Sequence, residues 1–416
     1  AEEARRRHMQ LKPRREHAHY FFVARAALLL GPIAPGSLLR GSVAFIPVAR
    51  AAVVRVPGCR VPDTLPLAVA LGNIAMAGAV AIDGAKVAVT IELTTPACPM
   101  KDRMRRQAEE ILGGLPGIET VEVTMTAQVR RGPAAGVNIP GQQQPDPIPG
   151  VANIIAVTSG KGGVGKSTVS VNLAVALRLS GARVGLLDAD VYGPSIPTMF
   201  GVPAEEKPYT NEKDLIAPIE REGLKLMSIG FLVDRDAAMI MRGPMLSKYV
   251  QEALARVDWG ELDYLVIDMP PGTGDVQLTL SQTIPLTGAV VVTTPQRVAL
   301  ADVRRAVTMC EKLNVTVLGL VENMSDPIGP DGQPIPMFGR GGGEAAAAEW
   351  GLSFLGTVPL DGNVPASGDS GQPIVAAEPG SPAALACGAI AGAIAARVST
   401  LAMGQGNRQP ELRILD

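Results

Sequence analysis

Histidine is almost missing from this chain of 416 residues: His8, His17 and His19 all fall within the first 19 positions. Chemistry beyond them must proceed without imidazole, which excludes Ser–His–Asp and His–metal mechanisms and leaves carboxylates, lysines and Mg²⁺. Cysteine is scarce too. Cys59, Cys98, Cys310 and Cys387 lie far apart with no C-x-x-C pair, so no disulfide framework is expected and a reducing cytoplasm is the natural setting. Aromatic residues make up 3% of a chain that is 47% apolar, as in Ala-, Val- and Leu-rich helices packed on a parallel sheet. The net charge of −2 predicts no general affinity for nucleic acid or a membrane surface. No uninterrupted apolar run reaches the roughly 18 residues of a membrane span.

What is abundant is glycine, and its placement is informative. Residues 156–168 read AVTSGKGGVGKST, which fits the phosphate-cradling pattern G-x-x-x-x-G-K-S/T. Gly160, Gly162, Gly163 and Gly165 allow backbone N–H groups to crowd round phosphate oxygens. The stretch offers Gly160, Lys161, Gly162, Gly163, Val164, Gly165, Lys166, Ser167 and Thr168 as the lining of an ATP site. Within it, Lys166 supplies charge to the β- and γ-phosphates and Ser167 a hydroxyl to Mg²⁺. An apolar run before it (154–157) reads as a buried strand and 169–179 after it as a helix, whose positive dipole end faces the phosphates.

Charge and composition divide the chain. Residues 1–60 carry a net +8, leaving −10 for residues 61–416. The atypical basic segment 1–65 is expected to be disordered or mistranslated; Arg25, Pro32 and Pro35 break up its one apolar stretch, which argues against an export signal. Residues 66–131 read as a small α+β domain, with alternating strands at 86–93 and 121–129 flanking a helix that Pro99 can open. The Pro-, Gly- and Gln-rich stretch 132–150 reads as a linker. Residues 151–400 alternate short apolar runs with helical stretches, the pattern of a doubly wound, mostly parallel α/β sheet, and 401–416 form a polar tail.

Ligands of open α/β sheets bind at the carboxyl ends of strands. Two strands there end in acids: one runs into Asp188-Ala189-Asp190 and another into Asp268-Met269-Pro270-Pro271-Gly272. Asp268 is placed to hold the Mg²⁺ shell, Gly272 offers a backbone N–H to a γ-phosphate, and Asp190 is the candidate for orienting the attacking water. Helix capping and turn formation remain the plainer reading of such carboxylates.

The loop with its extra Lys161 resembles the deviant P-loop ATPases, the class of nitrogenase iron protein and MinD/ParA. Within it, SGKGGVGKST (159–168), DADVYGPSIP (188–197), RGPM (242–245), WGELDYLVIDMPPGTGD (259–275), TTPQ (293–296) and ENMS (322–325) resemble the Mrp/ApbC-type iron–sulfur cluster carriers over residues 75–395. The resemblance implies Mg-dependent ATP hydrolysis by a homodimer in which Lys161 reaches the partner's nucleotide, contact of Asn323 with the adenine, and delivery of clusters to apoproteins together with assembly factors. The net −10 over residues 61–416 argues against a nucleic-acid partner, and the C-terminal GQGNRQPELRILD offers no membrane-seeking helix.

One departure concerns the cluster itself. Most of these carriers follow ENMS with a C-x-x-C pair that bridges a 4Fe–4S cluster between subunits; here the sequence reads DPIGPDG, which has no soft ligand. Cys98, in Thr95-Pro96-Ala97-Cys98-Pro99, is the remaining candidate ligand. It stands where a helix should begin, a setting that activates thiols, and it could equally be a small buried residue. Cys310 and Cys387 read as core. Two other readings stay open: an ATP-dependent assembly scaffold without its own cluster, and a MinD/ParA-like positioning switch, which would need a membrane-seeking helix or a basic face.

Overall fold

The alternation in Lys86–Leu93 produces a strand with one buried face: Val87, Val89, Ile91 and Leu93 are inside while the residues between them face outward. This strand, β2, pairs antiparallel with β1 (Ala77–Asp83) and parallel with β3 (Thr120–Ala127). The parallel step requires a crossover, supplied by helix α1 (Lys101–Gly113). Met104, Ala108 and Leu112 recur every four residues and lie on its covered face, against the strand core. Truncating the fully buried Leu112 to Ala would cost about 2–5 kcal/mol.

The computed structural model describes residues 77–83, 85–133, 148–190, 193–232, 243–272, 277, 280–281, 284–329 and 333–405. The expected basic segment 1–65, with Cys59 and the three histidines, lies outside the described residues, as does most of the expected linker.

The second sheet has eight strands: β4 (Val151–Ser159), β5 (Val184–Asp188), β6 (Ile219–Arg221), β7 (Leu224–Ser228), β8 (Leu262–Asp268), β9 (Gly288–Thr293), β10 (Val317–Ser325) and β11 (Phe354–Pro359). Their spatial order is β11-β10-β9-β4-β8-β5-β7-β6, parallel except for the edge pair β6–β7. The central strands are buried on both faces, which is why they read as continuous apolar runs. Helices cover both sides, as the α/β expectation required. Helix α2 (Lys166–Leu179) has ten buried residues, because it lies between the sheet and a later helix.

Further helices are α3 (Ile196–Met199), α4 (Gly243–Arg256), α5 (Arg297–Lys312), α6 (Gly342–Glu349), α7 (Asn363–Asp369), α8 (Ile374–Ala377) and α9 (Pro382–Gln405). Helix α9 continues past position 400 as far as Gln405. Its stretch Pro382–Met403 is long and apolar enough, by length and composition, to cross a membrane, with Arg397 interrupting the apolar run. Half of that stretch is buried, packed on α2 and β11, as in the core helix of an α/β layer.

The small sheet is joined to the large one by buried contacts. Thr95 Oγ1 and the Tyr264 hydroxyl, on β8, are 3.0 Å apart in a dry setting. Burial, partly countered by this bond, pushes the Tyr264 hydroxyl up to about 12. Ala97 belongs to the core of the large sheet, and Ser399 Oγ on α9 donates to the Thr94 carbonyl at 3.4 Å.

Candidate functional site

At the carboxyl end of β4 the chain turns sharply into α2, and Gly163 (φ +80°) and Gly165 (φ +78°) take the left-handed conformation that this turn needs. Gly165 meets a second constraint. A Cβ there would fall 2.2 Å from Asn323 Nδ2, and this amide donates to the Val164 carbonyl at 2.9 Å. Gly160 proves to serve packing as well as the loop: a Cβ would come within 2.2 Å of the Asp302 backbone on α5.

Lys166 opens α2 with its ammonium turned inward, 6% exposed. It donates to Asp268 Oδ1 at 2.8 Å and lies 3.6 Å from Asp190 Oδ2. Ser167 Oγ donates to Asp268 Oδ2 at 2.6 Å, and Ser170 Oγ lies 2.7 Å from Oδ1. P-loop, Asp190 and Asp268 are therefore gathered at one point although 78 residues separate the two acids in sequence. In this arrangement the carboxylates occupy Lys166; a phosphate chain would have to draw the ammonium away. The oxygen set of Ser167 Oγ and Asp268 matches the hard-ligand preference of Mg²⁺.

Lys161 is exposed on the loop and makes no ion pair with any described residue. Thr168 is half-buried and its carbonyl accepts from Asn172 Nδ2. One expectation is corrected. The Gly272 N–H is not presented to the site; it donates to the Ser159 carbonyl at 3.1 Å, fastening the turn after β8 to the end of β4. Asn323 lies within β10, which runs through Ser325 between β9 and β11. Its amide meets the P-loop.

Asp188 and Ser170 were missed in the sequence. Both are fully buried. Ser170 stands one helical turn after Lys166, a spacing that puts them on one face. Asp188 ends β5 directly beside Asp268 of β8. Burial, then the charge of Asp268, raises the Asp188 carboxyl to about 8, against the pull of Lys166. Burial also raises Asp190, opposed by Lys166. The Tyr249 hydroxyl on α4 is buried without a hydrogen-bond partner among the described residues; desolvation and then the Asp188 charge raise it well above its usual value.

Residues 150–395 match the family described as NUBPL iron-transfer P-loop NTPase, and residues 60–125 match the iron–sulfur cluster assembly protein family. The chain belongs to the NUBPL-type P-loop NTPases. An iron–sulfur cluster carrier protein of Synechocystis sp. is 48% identical over 328 residues, covering 78% of this chain and 91% of that protein. Its counterpart in Deinococcus radiodurans is 45% identical, covering 78% and 89%. The iron–sulfur cluster transfer protein NUBPL of Dictyostelium discoideum is 50% identical over 249 residues, covering 59% of this chain and 77% of that one.

In this NTPase two carboxylates at the end of β10 and just after it, Glu322 and Asp326, hold the backbone of residues 337–343. Asp326 Oδ1 accepts backbone N–H bonds from Met337, Phe338 and Gly339 at 2.7–2.9 Å. Burial pushes Asp326 up, but these three N–H groups and Arg340 outweigh it and hold the carboxyl below its usual range. Glu322, fully buried, accepts from Ser325 Oγ and from the N–H groups of Gly341 and Gly343 at the start of α6. Cys310 and Cys387 are buried as expected, with thiols pushed up by burial to about 11 and about 12. Cys98 is half-buried in a turn, and α1 starts only at Lys101, so the expectation that it opens the helix is corrected. It packs on the small-sheet core.

Proposed function

We propose that the chain is a Mg-dependent ATPase that works as a homodimer and carries iron–sulfur clusters to apoproteins. The observation that supports this most is the meeting of Lys166, Ser167, Asp190 and Asp268 at the mouth of a glycine loop, in a chain of a family named for iron transfer. In this reading Lys166 leaves the two carboxylates for the β- and γ-phosphates. Asp190, released, orients the attacking water and accepts its proton, a task that its raised proton affinity favours. When bound, Mg²⁺ would be held by the oxygens of Ser167 and Asp268 and would neutralise phosphate charge. The exposed Lys161 completes the partner's site when two copies close.

The cargo is handled differently from the common pattern, since the stretch 326–332 directly after β10 holds no cysteine. Cys98 is the half-buried thiol among the described cysteines, the other two being buried. That fact also favours a second reading, an ATP-driven scaffold that borrows a partner's thiolates. Anaerobic reconstitution of the wild type beside Cys98→Ala separates them, with iron, sulfide and visible absorption read per dimer. Cluster held by the wild type and lost in the variant supports the carrier; no cluster in either, with ATPase intact, supports the scaffold.

A further inference from the structure

Asp188 is fully buried at the end of β5, and its two oxygens are spoken for. Oδ1 accepts the backbone N–H of Asp190 at 3.1 Å. Oδ2 accepts the Ser228 hydroxyl at 3.0 Å and the N–H of Ile196 at 3.4 Å. Ser228 stands beside it in the register of β5 and β7, and the same hydroxyl accepts from Gly230 N–H at 3.0 Å, which fixes its direction. Asp188 thus touches both ends of the stretch from Asp190 to Ile196. It makes no ion pair with Lys166 among the described residues; that ammonium is shared by Asp268 and Asp190.

We infer that Asp188 is a positioning residue for hydrolysis: its one carboxyl group holds the backbone N–H groups of Asp190 and Ile196 and so sets where the Asp190 side chain stands. The inference rests on the reading that Asp190 orients the water. It follows that Asp188 matters most once nucleotide is bound. In the present arrangement Asp190 is also held by Lys166 at 3.6 Å. When phosphates take the ammonium, that tether is gone and the backbone bond to Asp188 remains. Loss of Asp188 should therefore fall on kcat more than on KM.

The test compares wild type, Asp188→Ala and Asp188→Asn by amide hydrogen exchange at Asp190 and Ile196 without nucleotide, and by steady-state ATPase with Mg²⁺ titration. In Asp188→Ala both amides should exchange faster while amides in the middle of β4 and β8 do not, and kcat should fall about tenfold or more with KM within about threefold. Asp188→Asn keeps an acceptor for the Asp190 N–H and should lose less. Unchanged exchange at both amides in Asp188→Ala overturns the inference. So does an Asn variant as impaired as the Ala variant with a raised Mg²⁺ requirement, the behaviour of a metal ligand. If Asp188→Ala fails to fold, Ser228→Ala provides the second arm: faster exchange at Ile196 supports the tether, and unchanged exchange overturns it. Wild type without ATPase activity would defeat the functional reading alone, since the exchange data still decide the tether.

Discussion

The side-chain amide of Asn323 donates to the carbonyl of Val164 at 2.9 Å, and this bond joins the end of β10 to the phosphate loop. Asn323 is 6% exposed, so the bond is shielded from water. Asn323→Ala leaves the Val164 carbonyl without that donor and should cost about 1–2 kcal/mol, seen as a lower urea midpoint. Nucleotide affinity should fall with it, because the loop is less fixed before binding. Unchanged midpoint and affinity would show that the loop holds its shape without β10.

Gly165 is squeezed from the same side. With φ at +78° and Asn323 Nδ2 only 2.2 Å from where a Cβ would stand, Gly165→Ala should strain the backbone by about 1–3 kcal/mol and displace Asn323. Gly163→Ala has a similar φ and open space, so it carries the backbone cost alone. Denaturation of both variants should rank Gly165→Ala as the more destabilised.

The two lysines of the loop should separate binding from turnover. Lys166 is buried against Asp268, and Lys166→Ala should abolish nucleotide binding while leaving Asp268 buried without its cation. Lys161 is exposed and unpaired among the described residues; Lys161→Ala should keep binding and lose hydrolysis. Fluorescent-nucleotide titration and phosphate release measure the two effects. Normal hydrolysis by Lys161→Ala would defeat the cross-dimer role.

The Asp188 carboxyl gives the nucleotide-free protein a pH dependence. Its folded value is raised to about 8, whereas an unfolded Asp titrates near ~3.9. Between those values the folded chain holds a proton that the unfolded chain does not, so stability is greatest at the acidic side and falls as pH rises through the window. Urea midpoints at several pH values from 5 to 8.5 should show this slope in the wild type and a flatter one in Asp188→Asn. An identical slope would mean that the proton resides elsewhere.

The bond between Thr95 and Tyr264 ties the small sheet to the strand that ends in Asp268. Tyr264→Phe should cost about 0.5–1.5 kcal/mol without changing kcat, since the hydroxyl lies at the far end of β8 from the phosphate loop. A midpoint equal to wild type would show that packing of Ala97 and its neighbours holds the two sheets together alone.

Much of the site was legible in the sequence because it is local. The glycine loop, Lys166 and Ser167 lie within a few residues, and their roles follow from the short-range geometry of a strand, a turn and a helix start. Asp190 and Asp268 were legible as acids at the ends of apolar runs. Other features depended on partners distant in sequence. The fully buried Asp188 reads like any turn carboxylate until Ser228 and Asp268 come to flank it. Gly272 looked free because its acceptor, Ser159, precedes it by more than a hundred positions. Asn323 gave no sign in the sequence of its bond to Val164, because the two meet only once β10 is folded beside the phosphate loop.

The sequence by itself determined the parallel α/β class, the phosphate loop and the lack of a C-x-x-C pair directly after β10, since each depends on residue type and short spacing. Only the tertiary structure decided which carboxylate holds Lys166, which holds the Asp190 segment, and where Cys98 lies. Those depend on which strands become neighbours, and a strand order of β4-β8-β5-β7 is set by packing of the whole sheet rather than by any one segment.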